Sequence, residues 1–134
     1  MRLTSLADYA VVILSAAARS GGARLTATVV AEETGVPLPT VQKLLGRLAL
    51  AGLLESTRGT GGGFRLARDA DGISLAEIIE AVEGPIAMTA CLHGRHDCVL
   101  ESGCQVRSHW GAVNGAIRGA LAEVSLARLS GRAA

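Results

Sequence analysis

The 134 residues predict a mainly α-helical protein with one small β-hairpin, and three observations carry that expectation. Apolar side chains recur at three- and four-residue steps through several segments, the spacing of one buried helix face. Aromatic residues make up only 2% of a chain that is 49% hydrophobic, which favours close-packed alanine and leucine helices over a sheet. The stretch RGTGGGFR sets four glycines within residues 59–63, too little side chain for a core element. The length suits one compact domain with an appended element.

The first helix is expected over Ser5–Arg19, where Leu6, Tyr9, Ala10, Ile13, Leu14 and Ala17 share a face and SGG at 20–22 stops it. The opening MRLTSLADYAVVILSAAARSGGA superficially resembles a signal peptide. Asp8 interrupts the apolar run, however, so the stretch reads as the first helix of a cytoplasmic protein with reduced thiols. A short second helix follows in TATVVAEETG, with Thr26 or Thr28 as N-cap and Gly35 as a left-handed terminator. In VPLPTVQKLLGRLALAG, Pro39 suits a first turn, Val41, Leu44, Leu45, Leu48 and Leu50 give an apolar face, and Gly52 ends the helix. Strands are expected at Leu53–Ser56 and Phe64–Ala67, joined by an exposed, flexible glycine tip. ISLAEIIEAVEGP is a short amphipathic helix ended by Gly84 and Pro85.

Two helices joined by the tight TGVPLP connection and followed by a hairpin make a winged helix-turn-helix. Residues 1–84 are therefore expected to form a winged helix-turn-helix DNA-binding domain, and 85–105 a cysteine-rich loop. Val106, Trp110, Val113, Ile117, Leu121 and Val124 form a seam along a last long helix. That helix, residues 106–127, is expected to dimerise against its twin, with 128–134 as a C-terminal tail. A seam folded back on the first domain is the competing reading.

The net charge of +1 conceals an asymmetry: residues 1–68 carry +4 and residues 69–134 carry −3. The first half suits a polyanion. In a helix-turn-helix the second helix enters the major groove, and its outward residues are Thr40, Gln42, Lys43 and Arg47. Gln42 has the donor and acceptor pair that fits adenine, and Lys43 suits guanine or phosphate. Arg58, just before the glycines, is placed for a minor groove, and Arg65 for phosphate. An ordinary polar helix surface is the bland alternative for all of them. No paired carboxylates, serine–base pair or phosphate loop points to catalysis; GTGGG lacks the lysine and hydroxyl sequel of a nucleotide-binding loop.

MRLTSLADYAV, VPLPTVQKLLGRLALAGLLES, RGTGGGFRLAR, three cysteines and VRSHWGAVNGAIRGALAEVSLARL, in that order, resemble the winged-helix iron–sulfur transcriptional regulators of the IscR/NsrR type. The likeness covers essentially the whole chain and is closest to the branch that regulates the SUF iron–sulfur assembly system. It implies a homodimer that binds near-palindromic double-stranded DNA operators, acts as a repressor or activator, and holds an iron–sulfur cluster between the wing domain and the long helix.

All three cysteines lie in CLHGRHDCVLESGC, residues 91–104. Their number is odd and their spacing is not the paired CxxC of a zinc ribbon or thioredoxin site. Cys91, Cys98 and Cys104 supply three of the four ligands an iron–sulfur cluster usually takes, of 2Fe-2S or 4Fe-4S type. For the fourth, the resemblance points to Asp8 of the partner subunit, as in NsrR-like members. Where IscR-like members carry a histidine this chain has Arg107, with His109 two residues on. Asp8 in SLAD is equally a capping-box-like helix start. A metal-free thiol switch comes second, and zinc held by Cys91, His93, Cys98 and Cys104, with His96 nearby, third. Two functions therefore stay beside cluster sensing in iron–sulfur assembly: a nitric oxide or thiol-redox sensing repressor, and, in a different class, a small iron–sulfur or zinc scaffold or carrier.

Overall fold

The computed structural model describes residues 3–86 and 107–131. Its elements run α1 (Ser5–Arg19), α2 (Ala27–Thr34), α3 (Leu38–Leu50), β1 (Leu54–Thr57), β2 (Gly63–Leu66), a 3-10 turn (Ala70–Gly72), α4 (Leu75–Glu83), α5 (Arg107–Ala122) and α6 (Leu126–Leu129). The mainly helical winged helix-turn-helix expected from the sequence is the fold observed.

Each start and stop has a local cause. Thr4 caps α1 by accepting the amide of Ala7, so Asp8 lies beyond the capping position and adds only its charge to the first turn. The capping-box reading of Asp8 is thereby corrected. Thr26 caps α2, and Gly35, at φ +78°, ends it in the left-handed conformation. Ser74 and Glu77 exchange hydrogen bonds as a full capping box on α4.

Helices α1, α2, α3 and α4 enclose a core whose largest fully buried side chains include Ile13, Leu14, Leu44, Leu45, Leu48, Ile73, Ile78 and Leu126. Val41, Leu44, Leu45 and Leu48 of α3 are buried as expected, but Leu50 is 91% exposed. The 3.6-residue period carries the buried stripe from Leu48 toward position 52, so Leu50 falls on the opposite side.

The hairpin is antiparallel, pairing Leu54 with Leu66, Glu55 with Arg65, Ser56 with Phe64 and Thr57 with Gly63. The strands lie within a residue of the expected bounds. A third segment joins them: the amide and carbonyl of Leu25 each hydrogen-bond Phe64, both at 2.8 Å. Close backbone, from that pairing and from the hairpin itself, explains two wing glycines better than flexibility does. A Cβ on Gly63 would stand 2.8 Å from the carbonyl oxygen of Leu25, and one on Gly62 would stand 2.3 Å from that of Thr57. Both positions are glycine because backbone passes too close for any side chain.

The long terminal helix ends earlier than its apolar seam. Helix α5 stops at Ala122, and Ser125 caps the separate helix α6. Between them the chain turns back on the winged domain: Leu75 donates its amide to Val124, and Leu126 donates to Ile73, each at 2.8 Å. Val124, half-buried, sits in that turn with its carbonyl accepting the Leu75 amide, so its match to the apolar period does not extend the helix. Helix α6 packs on α1, and α5 packs on α4, so the folded-back reading holds for the end of the chain. Replacing Leu126, which is fully buried, with alanine is expected to lower the unfolding free energy by about 2–5 kcal/mol. Chemical denaturation of the full chain measures the loss; a change under about 0.5 kcal/mol would mean that α6 is not part of the core.

Candidate nucleic-acid interface

Residues 35–37 turn α2 into α3. Thr34 donates its hydroxyl to the carbonyl of Val30 at 2.7 Å and accepts the amide of Val36 at 3.2 Å, so the turn is held from within. With its apolar stripe inward, α3 leaves Gln42 and Lys43 exposed and Thr40 half-buried near its N-terminus. Pro37 offers no side-chain cap, and Pro39 has no N–H. The amides of Leu38 and Thr40 find no acceptor among the described residues, which leaves the positive end of the α3 dipole open.

Internal pairing sorts the cations expected here. Lys43 and Arg58 are exposed and meet no acid or carbonyl among the described residues. Arg47 differs from expectation: its Nη1 donates to the Val82 carbonyl at 3.1 Å. Val82 is in the last turn of α4, where carbonyls lack helical partners and the dipole is negative, which draws the guanidinium of this exposed side chain there. Arg65, expected at phosphate, pairs across the hairpin with Glu55 at 3.1 Å. Both side chains are about half exposed, so the pair adds little stability, but it offsets the charge that Arg65 would present. Arg68 is bonded to Gly72 and Glu77, fixing the exit of the wing to the start of α4. The carboxyl of Glu77 is held below its ordinary range, first by the Ser74 amide and then by Arg68 against a smaller opposing effect of burial than their sum.

Sequence reading missed Arg24, which is exposed and unpaired among the described residues and lies beside Gly63 of the wing. The signal was the polar–apolar–polar run Arg24, Leu25, Thr26, too short to stand out as a strand. It also missed the junction at the end of α4. There Thr4 bonds Glu83 through both its amide and hydroxyl, and Asn114 of α5 donates to the Ile86 carbonyl at 2.8 Å. Arg118 of α5 makes a forked pair with Glu80 at 2.7 and 3.3 Å, and Glu80 also accepts the Ile86 amide at 3.1 Å. Such contacts, 28 to 79 residues apart in sequence, leave no local signature.

Asp8 is exposed, and no described residue partners its carboxylate. Cys91, Cys98, Cys104, His93 and His96 lie outside the described residues. Among the described residues no three histidine, cysteine or acidic side chains come together as metal ligands, and no helix is long and apolar enough to cross a membrane.

A recognition helix with an open N-terminus, flanked by a wing whose Arg58 is unpaired, defines a DNA-binding winged-helix protein. The Rrf2 family model, described as iron-dependent transcriptional regulator, matches residues 3–132, and the chain belongs to that family. It is 36% identical to the HTH-type transcriptional regulator IscR of Photobacterium profundum over 130 residues, which span 96% of this chain and 75% of the relative. The IscR of Escherichia coli O1:K1 / APEC is 33% identical, spanning 96% of this chain and 80% of that protein. Among solved structures, T. potens IscR superposes with a TM-score of 0.69 at 26% identity, covering 96% of this chain and 85% of that one. CymR, the global cysteine regulator of B. subtilis, shares the fold at TM-score 0.75 and 24% identity, covering 100% of this chain and 99% of that one. The protein is thus an IscR-like DNA-binding transcriptional regulator and not an enzyme.

The Arg118 hydrogen bond, more than any other contact, holds the Glu80 carboxyl below its ordinary value of 4.5, with burial opposing and the Ile86 amide assisting. A carboxyl that ionises lower in the folded state stabilises the fold above its unfolded pKa. That contribution fades as the pH falls through the folded value, because the unfolded chain takes up the proton first. Glu80→Gln is therefore expected to lower the thermal midpoint at pH 7, with the difference from the parent shrinking as the pH is taken below about 4.5. Melting curves at pH 7, 5, 4 and 3 check this; a constant difference would show that the charge on Glu80 does not matter.

Proposed function

We propose that this regulator is a homodimer that senses an iron–sulfur cluster and controls iron–sulfur assembly genes of the SUF type from near-palindromic operators in the cytoplasm. The observation that carries the DNA-reading half is the sorting of cations. Those on the recognition face and wing tip, Lys43 and Arg58, are unpaired among the described residues, while Arg47, Arg68 and Arg118 are bonded inside the protein. In this reading Gln42 and Thr40 approach base edges, and Lys43 approaches guanine or phosphate. Arg58 enters the minor groove, and Arg24 joins it on phosphate. Arg65 contributes only when the Glu55 pair opens, and Arg47 is a positioning residue that holds α3 to α4.

The donor set fits an iron–sulfur cluster: three soft thiolates, Cys91, Cys98 and Cys104, within fourteen residues, with an Asp8 carboxylate that has no partner among the described residues and could come from a second subunit. When bound, the cluster would supply a link sensitive to iron supply or oxidant. The dimer reading is supported by α5, whose Val113 remains 41% exposed on the apolar seam although α5 packs on α4. A second reading, in which the same three thiols act as a cluster-free thiol switch, is favoured by the likeness to Staphylococcus aureus CymR, solved in an oxidized form, at 26% identity and TM-score 0.72.

Two experiments test these readings. Arg58→Ala is expected to weaken binding to a selected operator by about 1–3 kcal/mol and to relax preference for flanking A·T pairs, with Arg65→Ala costing less. Equal losses for both variants, measured by fluorescence anisotropy at fixed salt, would contradict the sorting. The protein isolated without oxygen is expected to be coloured, with iron and acid-labile sulfide, and Asp8→Ala is expected to yield a folded dimer whose cluster is lost or altered. Colourless metal-free protein that forms a reversible disulfide would favour the thiol switch, and stoichiometric zinc would displace both readings.

A further inference from the structure

Helix α3 begins with an apolar side chain that its own fold does not use. Leu38 is the first residue of α3 and is 38% exposed. The apolar contact that fixes the entry into such a helix joins the residue before the cap to the fourth helical residue. Here those positions are Val36 and Val41, which are 5% and 0% exposed, so the entry is already fixed without Leu38. Leu38 is also absent from the buried cluster and from the half-buried side chains packed on it, which do include Leu25, Ala27, Ala31 and Ala49 of the neighbouring segments.

What surrounds Leu38 is the recognition face. Gln42 stands four residues on, and therefore directly below it on the same side of the helix, about 6 Å along the axis. Lys43 follows beside Gln42, and the open amides of Leu38 and Thr40 mark the end of the helix that approaches the duplex. On the major-groove edge of DNA one group alone is apolar, the C5 methyl of thymine, and an aliphatic side chain is its matching contact.

We propose that Leu38 is a specificity-determining residue that reads a thymine methyl, one or two base steps from the pair read by Gln42. This rests on the DNA-reading function proposed above and adds to it the base chemistry: one apolar and one bidentate polar contact side by side, which select thymine next to or near adenine in each half-site. A cytosine at that position loses the methyl and presents a donor instead. Leu38 would then choose between sequences without contributing to attraction for phosphate.

The test uses the full-length protein purified without oxygen and synthetic duplexes selected by it from a randomised pool. Each thymine of the selected half-site is replaced in turn by deoxyuridine, which removes only the methyl and keeps the base pair. For the parent, one such replacement per half-site is expected to weaken binding about three- to fivefold, the effect of one buried methyl. Leu38→Ala is expected to bind the thymine duplex correspondingly more weakly, to show no further loss with deoxyuridine, and to keep the parent's salt dependence. Circular dichroism and melting curves matching the parent confirm that the variant is folded, as expected for an exposed first-turn residue. The inference is overturned if no deoxyuridine affects the parent, or if the same replacement weakens Leu38→Ala equally. If binding that depends on sequence is never obtained, the DNA-reading function itself falls, and this inference with it.

Discussion

The long-range polar contacts from three other helices converge on the last turn of α4 and the residues just after it. Over Glu80–Ile86 the protein receives Arg47 from α3, Thr4 from the start of α1, and Arg118 and Asn114 from α5. The cause is the ordinary deficiency of a helix C-terminus: carbonyls without helical partners and an accumulated negative dipole. Two acids, Glu80 and Glu83, deepen that negative end where cations are normally preferred. The unfavourable placement is offset by importing Arg47 and Arg118 from other helices. A local conflict in α4 thus becomes the fastening point for the recognition helix, the first helix and the terminal helix, immediately ahead of the segment that carries the cysteines.

The same economy of charge shapes the interface. The first half of the chain has an excess of positive charge, but the excess is not spread evenly over its surface. Arg47, Arg65 and Arg68 are engaged in holding α3, the hairpin and the wing exit, while Lys43 on α3 and Arg58 and Arg24 at the wing are exposed and have no partner among the described residues. A count of charges along the sequence finds the right half of the molecule. Only the pairing of those charges separates side chains free to meet a phosphate from side chains already occupied.

Legibility in the sequence follows the range of the interaction. The bounds of α1, the cap at Thr26, the terminator at Gly35 and the capping box on α4 depend on residues within four positions of one another, so a single sequence displays them. The Leu25 strand, the Arg47 contact with Val82 and the Glu80 pair with Arg118 join residues 35 to 39 apart, and no local pattern marks them. Leu50 and Val124 show the error in the other direction. Each was apolar at about the right spacing, yet Leu50 faces solvent and Val124 belongs to a turn, because periodicity reports a helix face and not what covers it. The glycines of the wing were recognised as a hairpin tip, but the carbonyls that exclude side chains at Gly62 and Gly63 become visible only once the strands are paired.

The attachment of α5 differs in kind from that of its neighbours. Helices α1, α3 and α6 contribute fully buried aliphatic side chains, whose removal costs several kcal/mol each. Helix α5 contributes half-buried Trp110, Ile117 and Leu121, an amide contact from Asn114, and an ion pair whose Arg118 side chain is 48% exposed. Partly exposed pairs of this kind hold geometry more than they add stability. The strongly packed α6 fixes the far end of α5 to the core, so the polar contacts of Arg118 and Asn114 have only the rest of the helix to place. Glu80 and Val82 are two residues apart on α4, about half a turn, so the Arg118 pair and the Arg47 contact fall on the same short helix end. The terminal helix and the recognition helix are therefore fastened to one helix end through two polar contacts, Arg118 to Glu80 and Arg47 to Val82, and neither contact replaces the apolar packing that holds α3 in the core.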